Sequence, residues 1–175
     1  MRKVEVVSYN PDWPAMFDKE AGNIRPVLGA ELVRLHHMGS TSVPGLAAKP
    51  IIEILAEVED IHRLDRLNEL MIAAGYTPKG EYGIAGRRYF YKGTDETHYF
   101  HIHAFEQGHT EVTRYLLFRD YLRSHPGAAQ QYADLKRSLA KQFPCDVEGY
   151  TDAKDPFIKD VDLKAARWSR EFSPS

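Results

Sequence analysis

Two short apolar runs joined by a small, hydroxyl-rich turn constrain this chain more than any other feature. The first run leads into Gly39-Ser40-Thr41-Ser42, and the second carries a single acid, Glu53. Short apolar runs bounded by glycine and proline are typical of buried strands. We therefore predict strands over residues 32–37 and 51–58, with a loop over residues 39–50 between them.

The turn and the acid together indicate a phosphate and metal site. A small turn leaves backbone N–H groups unshielded, and such a concavity suits a phosphate. Gly39, Ser40 and Ser42 are the candidate ligands; in the alternative interpretation the hydroxyls cap the loop's own amides. Glu53 lies in an apolar run, where an isolated charge is costly to bury. It must therefore bind a metal or substrate, pair with an arginine, or lie half-exposed.

Composition limits the function classes. The chain has 175 residues, of which 43% are apolar and 27% charged, as in an ordinary globular domain with its own core. Its net charge of −2 provides no overall attraction to nucleic acid or to an anionic membrane. No segment approaches the ~20 apolar residues of a membrane span, and the first residues lack a signal-peptide pattern. The one cysteine, Cys145, fits a reducing compartment, so we expect a cytoplasmic protein.

The remaining pattern predicts a sheet-containing part over residues 1–108 and a helical part over residues 109–175 of a single domain. Further strands are expected over residues 87–92 and 99–106, and residues 4–9 are expected to form a short strand or an extended arm. Helices are expected over residues 15–28, 61–74, 110–124, 126–143 and 150–172. Mixed strands and helices followed by helices alone favour an α+β (mixed α/β) fold.

A His-x-His pair supplies further candidate metal ligands. His101 and His103 are two residues apart on a predicted strand, so both project to one face. With Glu53 they would form a set of two imidazoles and one carboxylate, and imidazole favours zinc, manganese or iron over magnesium. The alternative is a pair of ordinary core or surface histidines. His98 is expected in the preceding turn, away from this face.

Other candidates are weaker. His37 flanks the turn and is a minor candidate for the site. Arg87 and Arg88 alternate along a strand, so only one of them can face the site, and the sequence does not choose between them. Glycines 80, 83 and 86 do not match a dinucleotide-binding fingerprint and predict a flexible loop.

Several segments resemble one family across nearly the whole chain. They are VSYNPDWP at residues 7–14, the run over residues 37–54, HIH at residues 101–103, FRDYLRSHP at residues 118–126, YADLK at residues 132–136 and YTDAK at residues 150–154. On these motifs the chain is identified as a member of the GrpB family (UPF0157-type), placed in the nucleotidyltransferase superfamily. The resemblance implies a nucleotidyltransferase-like fold, in which a small mixed sheet is flanked by helices and followed by a helical lobe.

The resemblance also implies a site. In that superfamily two alternating acids and a third acid on another strand hold divalent metal around a nucleoside triphosphate. Glu53 matches the first acid, but the second position is Leu55, which cannot bind metal. Lys136 and Lys154 lie in the family-like helical segments, where superfamily lysines reach triphosphate oxygens; the alternative is that both are solvated.

The expected function is metal-dependent transfer of a nucleotide from a nucleoside triphosphate to a hydroxyl acceptor. Magnesium or manganese is the expected ion, and zinc is an alternative. The ligand is expected to be a small nucleotide or phosphorylated molecule, with no membrane partner and with nucleic acid disfavoured. Two other functions stay open: a non-catalytic nucleotide- or phosphometabolite-binding module, and a metal-dependent hydrolase that uses the histidines and Glu53. The nucleotide, the acceptor and the oligomeric state are left open.

Overall fold

A computed structural model describes residues 2–172, and its centre is one mixed five-stranded sheet in the order β1-β2-β5-β4-β3. The strands are β1 Leu32–Met38, β2 Ile52–Val58, β3 Tyr76–Pro78, β4 Arg87–Gly93 and β5 His98–Glu106. Strands β2 and β5 are parallel, and the other neighbours are antiparallel. The candidate ligands on β2 and β5 therefore lie side by side at the middle of the sheet.

Residues 2–172 include six α-helices, and prolines in their first turns help to start two of them. The helices are α1 Trp13–Leu28, α2 Ile61–Leu64, α3 Asn68–Ala73, α4 Thr110–Ser124, α5 Pro126–Gln142 and α6 Val147–Phe172. Pro14 in α1 and Pro126 in α5 occupy positions where a backbone N–H would have no helical partner. No helix within residues 2–172 is both long enough and apolar enough to cross a membrane.

One face of the sheet carries the main core. Ile52 and Ile54 of β2 and Ile102 of β5 are fully buried there, and Trp13 and Ile24 of α1 pack against them. Because side chains alternate along a strand, the residues between these isoleucines project to the opposite face. The core thus fixes which face is left for the candidate ligands.

The opposite face is covered in part by α4, with α5 and α6 packed beyond it. Leu55 and Phe105 are completely buried on this face and pack with Met38 and with Val112 of α4. Beyond this small cluster a cavity lies between the sheet and helices α4, α5 and α6.

The α+β expectation is confirmed, one helix prediction is corrected, and one short strand was missed. Residues 4–9, expected as a short strand or an extended arm, belong to no strand of the sheet and make one isolated bridge, Val7↔Ala48, to the loop before β2. The helix predicted over residues 61–74 is interrupted by the 3-10 turn Asp65–Leu67. Strand Tyr76–Pro78 was not predicted, since three edge residues that include a proline carry little strand signal.

Candidate functional site

A cavity of about 420 Å³ lies between the centre of the sheet and helices α4, α5 and α6. Its floor holds Glu53, His101 and His103, and its walls include Lys136 of α5 and Lys154 of α6. This volume falls within the roughly 300–1,000 Å³ of pockets that bind small molecules. The structure therefore brings most of the sequence-predicted residues to one place.

Glu53, His101 and His103 form one cluster. In the parallel register of β2 and β5, Glu53 pairs with His101 and Leu55 pairs with His103, so all four side chains share a face. Each of the three polar residues offers one ligand atom, and these atoms lie within 4.8 Å of one another. Both histidines are buried, whereas the Glu53 side chain is 35% exposed and opens onto the cavity.

The cluster favours an ionised carboxylate beside a neutral imidazole. Burial by itself would raise the pKa of Glu53, but the neighbouring His103 and the charge of Lys49 outweigh it and hold that pKa well below its usual range. Burial lowers the pKa of His101 to about 3, against the opposing effect of Glu53. Carboxylate and neutral imidazole are the forms that bind metal ions.

His98 contacts this cluster through His101, contrary to the expectation that it lies in a turn. It is the first residue of β5, and its Nδ1 lies 2.8 Å from Nε2 of His101. A register shift between Lys92 and Gly93 disturbs the normal alternation at this end of the strand, so His98 joins the His101 face. Its ring stacks on Tyr91, with 4.1 Å between ring centres.

Arg87, and not Arg88, faces the site. Nη1 of Arg87 lies 3.3 Å from Nδ1 of His103, and the guanidinium is almost completely buried. Arg88 projects to the other face of the sheet, where it donates to both carboxylate oxygens of Asp65 at 2.7 and 3.1 Å. The alternation predicted for β4 is confirmed, and the tertiary contacts decide which arginine is used.

The Arg87 contact sets the proton position on His103. A guanidinium can only donate hydrogen bonds, so Nδ1 of His103 accepts and Nε2 carries the proton. That Nε2 is buried without a hydrogen-bond partner and lies 3.5 Å from Oε1 of Glu53. Arg87 also donates to the carbonyls of Glu81 and Tyr82, so the glycine-rich loop over residues 80–86 is fastened to the same side chain.

The donor set fits a single divalent ion of the zinc, manganese or iron kind. One carboxylate and two imidazoles are typical ligands for these ions, and the unpartnered Nε2 of His103 is an atom that such an ion would satisfy. A ligating histidine normally donates from its other nitrogen, so Arg87 must release Nδ1 before Nε2 can bind metal. Leu55 is buried in the core and supplies no second carboxylate.

The Gly39 turn approaches Glu53 closely. Gly39 has φ +70°, and a Cβ added there would lie 2.1 Å from Oε2 of Glu53, so only glycine allows this approach. Ser40 lines the cavity. The Ser42 hydroxyl instead donates to the Gly39 carbonyl at 2.5 Å, so it bonds within the loop to a carbonyl and not to the amides named in the alternative interpretation.

Lys136 joins helix α5 to this loop. Its side chain is buried, and its ammonium donates to Ser40 Oγ at 2.8 Å and to the Ala47 carbonyl. It also lies 4.4 Å from the centre of the Tyr132 ring. Burial, and then the neighbouring charge of Lys154, lower the pKa of Lys136 well below its ordinary value.

Lys49, Lys154 and Tyr150 form the remaining wall of the cavity. The ammonium groups of Lys154 and Lys49 lie 4.5 and 5.4 Å from the centre of the Tyr150 ring. Burial, reinforced by the charge of Lys49, lowers the pKa of Lys154 to about 8. Sequence reasoning did not identify Lys49 or Tyr150; the only local signal was a lysine at the entry to β2 and a tyrosine in the family-like YTDAK segment.

Two other residues near the site do not reach the cavity. The His37 ring lies on the opposite face of β1, where it bonds to the Thr41 hydroxyl at 2.9 Å and stacks on Phe17. Glu57, two positions beyond Leu55, pairs with His36 at 2.5 Å. Neither residue therefore contributes a ligand atom to the cavity.

These features define an α+β protein whose sheet and helical cover enclose a candidate metal- and anion-binding cavity. The chain belongs to the GrpB family, whose profile, described as GrpB protein, matches residues 3–164. It is 40% identical to the chain in "Crystal structure of conserved protein GrpB from Enterococcus faecalis", with a TM-score of 0.89 over 93% of this chain and 98% of that one.

Curated relatives include longer proteins. The chain is 50% identical over 170 residues to the UPF0157 protein YqkA of Bacillus subtilis. That alignment covers 97% of this chain and 49% of YqkA. It is also 30% identical over 191 residues to a dephospho-CoA kinase of Mycolicibacterium paratuberculosis, covering 95% of this chain and 47% of the kinase. The chain therefore spans about half the length of both relatives.

Proposed function

We propose that this chain binds a nucleoside triphosphate together with one divalent ion in the cavity and transfers the nucleotide to a hydroxyl acceptor. One observation carries the proposal: the cluster of Glu53, His101 and His103 opens onto the same cavity as three lysines. Nucleotide transfer needs both the metal ligands and the lysines, because a metal ion and cationic side chains must offset the charge of the reacting phosphates.

Glu53, His101 and His103 are the residues that would hold the ion. When bound, a divalent ion acts as a Lewis acid that stabilises the charge developing on the phosphate oxygens. Manganese suits this set best, because it accepts imidazole ligands and also accompanies phosphate oxygens. Because Leu55 occupies the position of the second acid in the superfamily pattern, the arrangement supports one metal ion and not a pair of metal ions.

The phosphate-binding residues are proposed to be Ser40, Lys136 and Lys154, with the backbone of the Gly39 turn. Lys136 holds Ser40 in position, and Lys154 contributes a further charge from α6. Similarity to a relative named dephospho-CoA kinase agrees with a phosphorylated ligand. Because the chain covers less than half of that kinase, the similarity supports the class of ligand and not the kinase reaction itself.

Calorimetric titration with each of the four common nucleoside triphosphates, with manganese and with magnesium, tests the binding step. Glu53→Gln should weaken metal-dependent binding by about tenfold or more, since one of three ligands loses its charge. Glu57→Gln is the matched control, because Glu57 lies on the same strand but outside the cavity and pairs with His36. The proposal fails if no triphosphate binds with either ion, or if both variants behave like the unaltered chain.

Release of pyrophosphate from a bound triphosphate tests the transfer step. Steady release that Glu53→Gln abolishes supports nucleotide transfer. Binding without release favours the non-catalytic module, for which the buried Leu55 in place of the second acid is the supporting observation.

A metal-dependent hydrolase is the second candidate function. The specific observation in its favour is the ligand ratio of two imidazoles to one carboxylate, which is more typical of zinc or iron than of magnesium. Elemental analysis of the purified protein separates the two candidates. Stoichiometric zinc or iron supports the hydrolase, whereas a site that takes up only added manganese or magnesium supports the transferase.

A further inference from the structure

The hydroxyl of Tyr150 has no hydrogen-bond partner among residues 2–172. Tyr150 is completely buried in the first part of α6, and its side chain lines the cavity. Buried hydroxyls are normally bonded, and one left without a partner lowers stability. Because Tyr150 belongs to the cavity lining, a bound ligand that accepts from this hydroxyl would satisfy it.

Two ammonium groups lie beside the same ring. Lys154 is four residues after Tyr150 on α6, so both side chains share a helix face, and Lys49 approaches from the loop before β2. Both lysines are half-buried, and within the described chain neither has a hydrogen-bond or ion-pair partner. The neighbouring acid, Asp155, is paired with Lys159 at 2.5 Å.

The other cations of the cavity, Arg87, Lys136 and Arg114, already have hydrogen-bond partners, and Arg87 donates to the carbonyls of Glu81 and Tyr82. Lys136 donates to Ser40 and to the Ala47 carbonyl. Arg114 donates to Glu111 at 2.7 Å and to Asp162 at 3.1 Å. Lys49 and Lys154 are thus the cavity cations that have no direct hydrogen-bond or ion-pair partner within residues 2–172, and both lie beside Tyr150.

We propose that Tyr150, Lys49 and Lys154 form a subsite for the terminal phosphate group of the ligand. The inference rests on the proposed function in that the ligand is phosphorylated. All three side chains act as donors here, two of them charged, so the matching group carries about two negative charges and several acceptor oxygens. A terminal phosphate meets this requirement, with three oxygens and a charge of about −1.5 to −2 near neutral pH. A carboxylate offers two oxygens and one charge.

Binding of small anions without metal or nucleoside tests the subsite separately from the transfer reaction. The full chain in EDTA is titrated with pyrophosphate, inorganic phosphate and acetate by calorimetry. Tyr150→Phe removes one oxygen and keeps the ring, and Lys49→Met removes one charge. Each should weaken pyrophosphate binding by about tenfold or more, as expected for hydrogen bonds to a charged group. Lys164→Met is the matched control, because Lys164 is exposed and pairs with Asp160 on the same helix.

Thermal unfolding shows whether Tyr150→Phe has damaged the fold. Removal of an unpartnered hydroxyl should leave the unfolding temperature unchanged or raise it, so a loss of binding in a stable variant supports the subsite. The subsite is overturned if pyrophosphate binds Tyr150→Phe and Lys49→Met as tightly as the unaltered chain, or if acetate binds as tightly as pyrophosphate. Metal-free pyrophosphate binding with no triphosphate binding would instead sustain the subsite and reject the proposed function.

Discussion

Replacement of Gly39 by alanine tests how closely the loop approaches the Glu53 carboxylate. Gly39 has φ +70° and ψ −173°, a conformation that costs about 1–3 kcal/mol in a residue with a side chain. The added Cβ would lie 2.1 Å from Oε2 and 3.3 Å from Cβ of Glu53. Because the carboxylate is the flexible end of that side chain, we expect it to move away from His103. The free energy of unfolding should therefore fall by about 1–3 kcal/mol.

Gly45→Ala is the matched control in the same loop. Gly45 has φ +81°, but an added Cβ would meet nothing within 4 Å. For a chain of this size, about 1 kcal/mol corresponds to about 2–4 °C, so Gly39→Ala should unfold about 2–12 °C lower. Gly45→Ala should be destabilised through its backbone alone. Only Gly39→Ala should weaken manganese binding, by about tenfold, since only it displaces a ligand.

Thermal unfolding followed by circular dichroism and calorimetric titration with manganese measure the two effects. An unchanged unfolding temperature in Gly39→Ala would refute the argument about the backbone and the close approach. Equal manganese affinity in the two alanine variants would refute the displacement of Glu53. The stability measurement is informative whether or not the unaltered chain binds metal.

Three further predictions concern the charges around the site and in the core. Burial and the charge of Lys49 lower the pKa of Lys154 to about 8. Pyrophosphate affinity should therefore fall as the pH rises and this ammonium loses its proton, which calorimetry from pH 6.5 to about pH 9 measures. Arg87→Met frees Nδ1 of His103 and should raise manganese or zinc affinity by about tenfold in the same titration. The buried Glu20 carboxylate accepts from Tyr76 and Lys92, so Glu20→Gln should lower the free energy of unfolding, measured in urea, by about 1–3 kcal/mol. Because these contacts lower the pKa of Glu20, the stability difference between the two chains should disappear as acid protonates Glu20.

Each of these predictions has a control and a contrary outcome. In Lys154→Met the fall in affinity near pH 8 should disappear, and a flat profile in the unaltered chain would contradict the role of this lysine. Arg88→Met should leave metal affinity unchanged, whereas equal effects at Arg87 and Arg88 would contradict the hydrogen-bond argument. Glu59→Gln is the control for Glu20→Gln, because Glu59 is an exposed acid. If both variants are equally stable, the buried contacts of Glu20 do not contribute to stability.

The local pattern was sufficient for much of the fold. Strands β1 and β2 were predicted because apolar runs end sharply at glycine and proline, and the three long C-terminal helices were predicted from their apolar spacing and from proline signals. His101 and His103 were correctly placed on one face because alternation along a strand does not depend on neighbours. The 3-10 interruption after α2 and strand β3 were missed, since both are short and depend on tertiary contacts.

The sequence by itself determined which residues share a face, and the tertiary structure decided which faces meet. The pairing of β2 with β5 places Glu53 beside His101, although 47 residues separate the two in the chain. Long-range packing likewise selected Arg87 over Arg88 and brought Lys49 to the Tyr150 ring. The physical reason is that backbone periodicity is a local property, whereas strand order and side-chain neighbours depend on the burial of distant segments against one another.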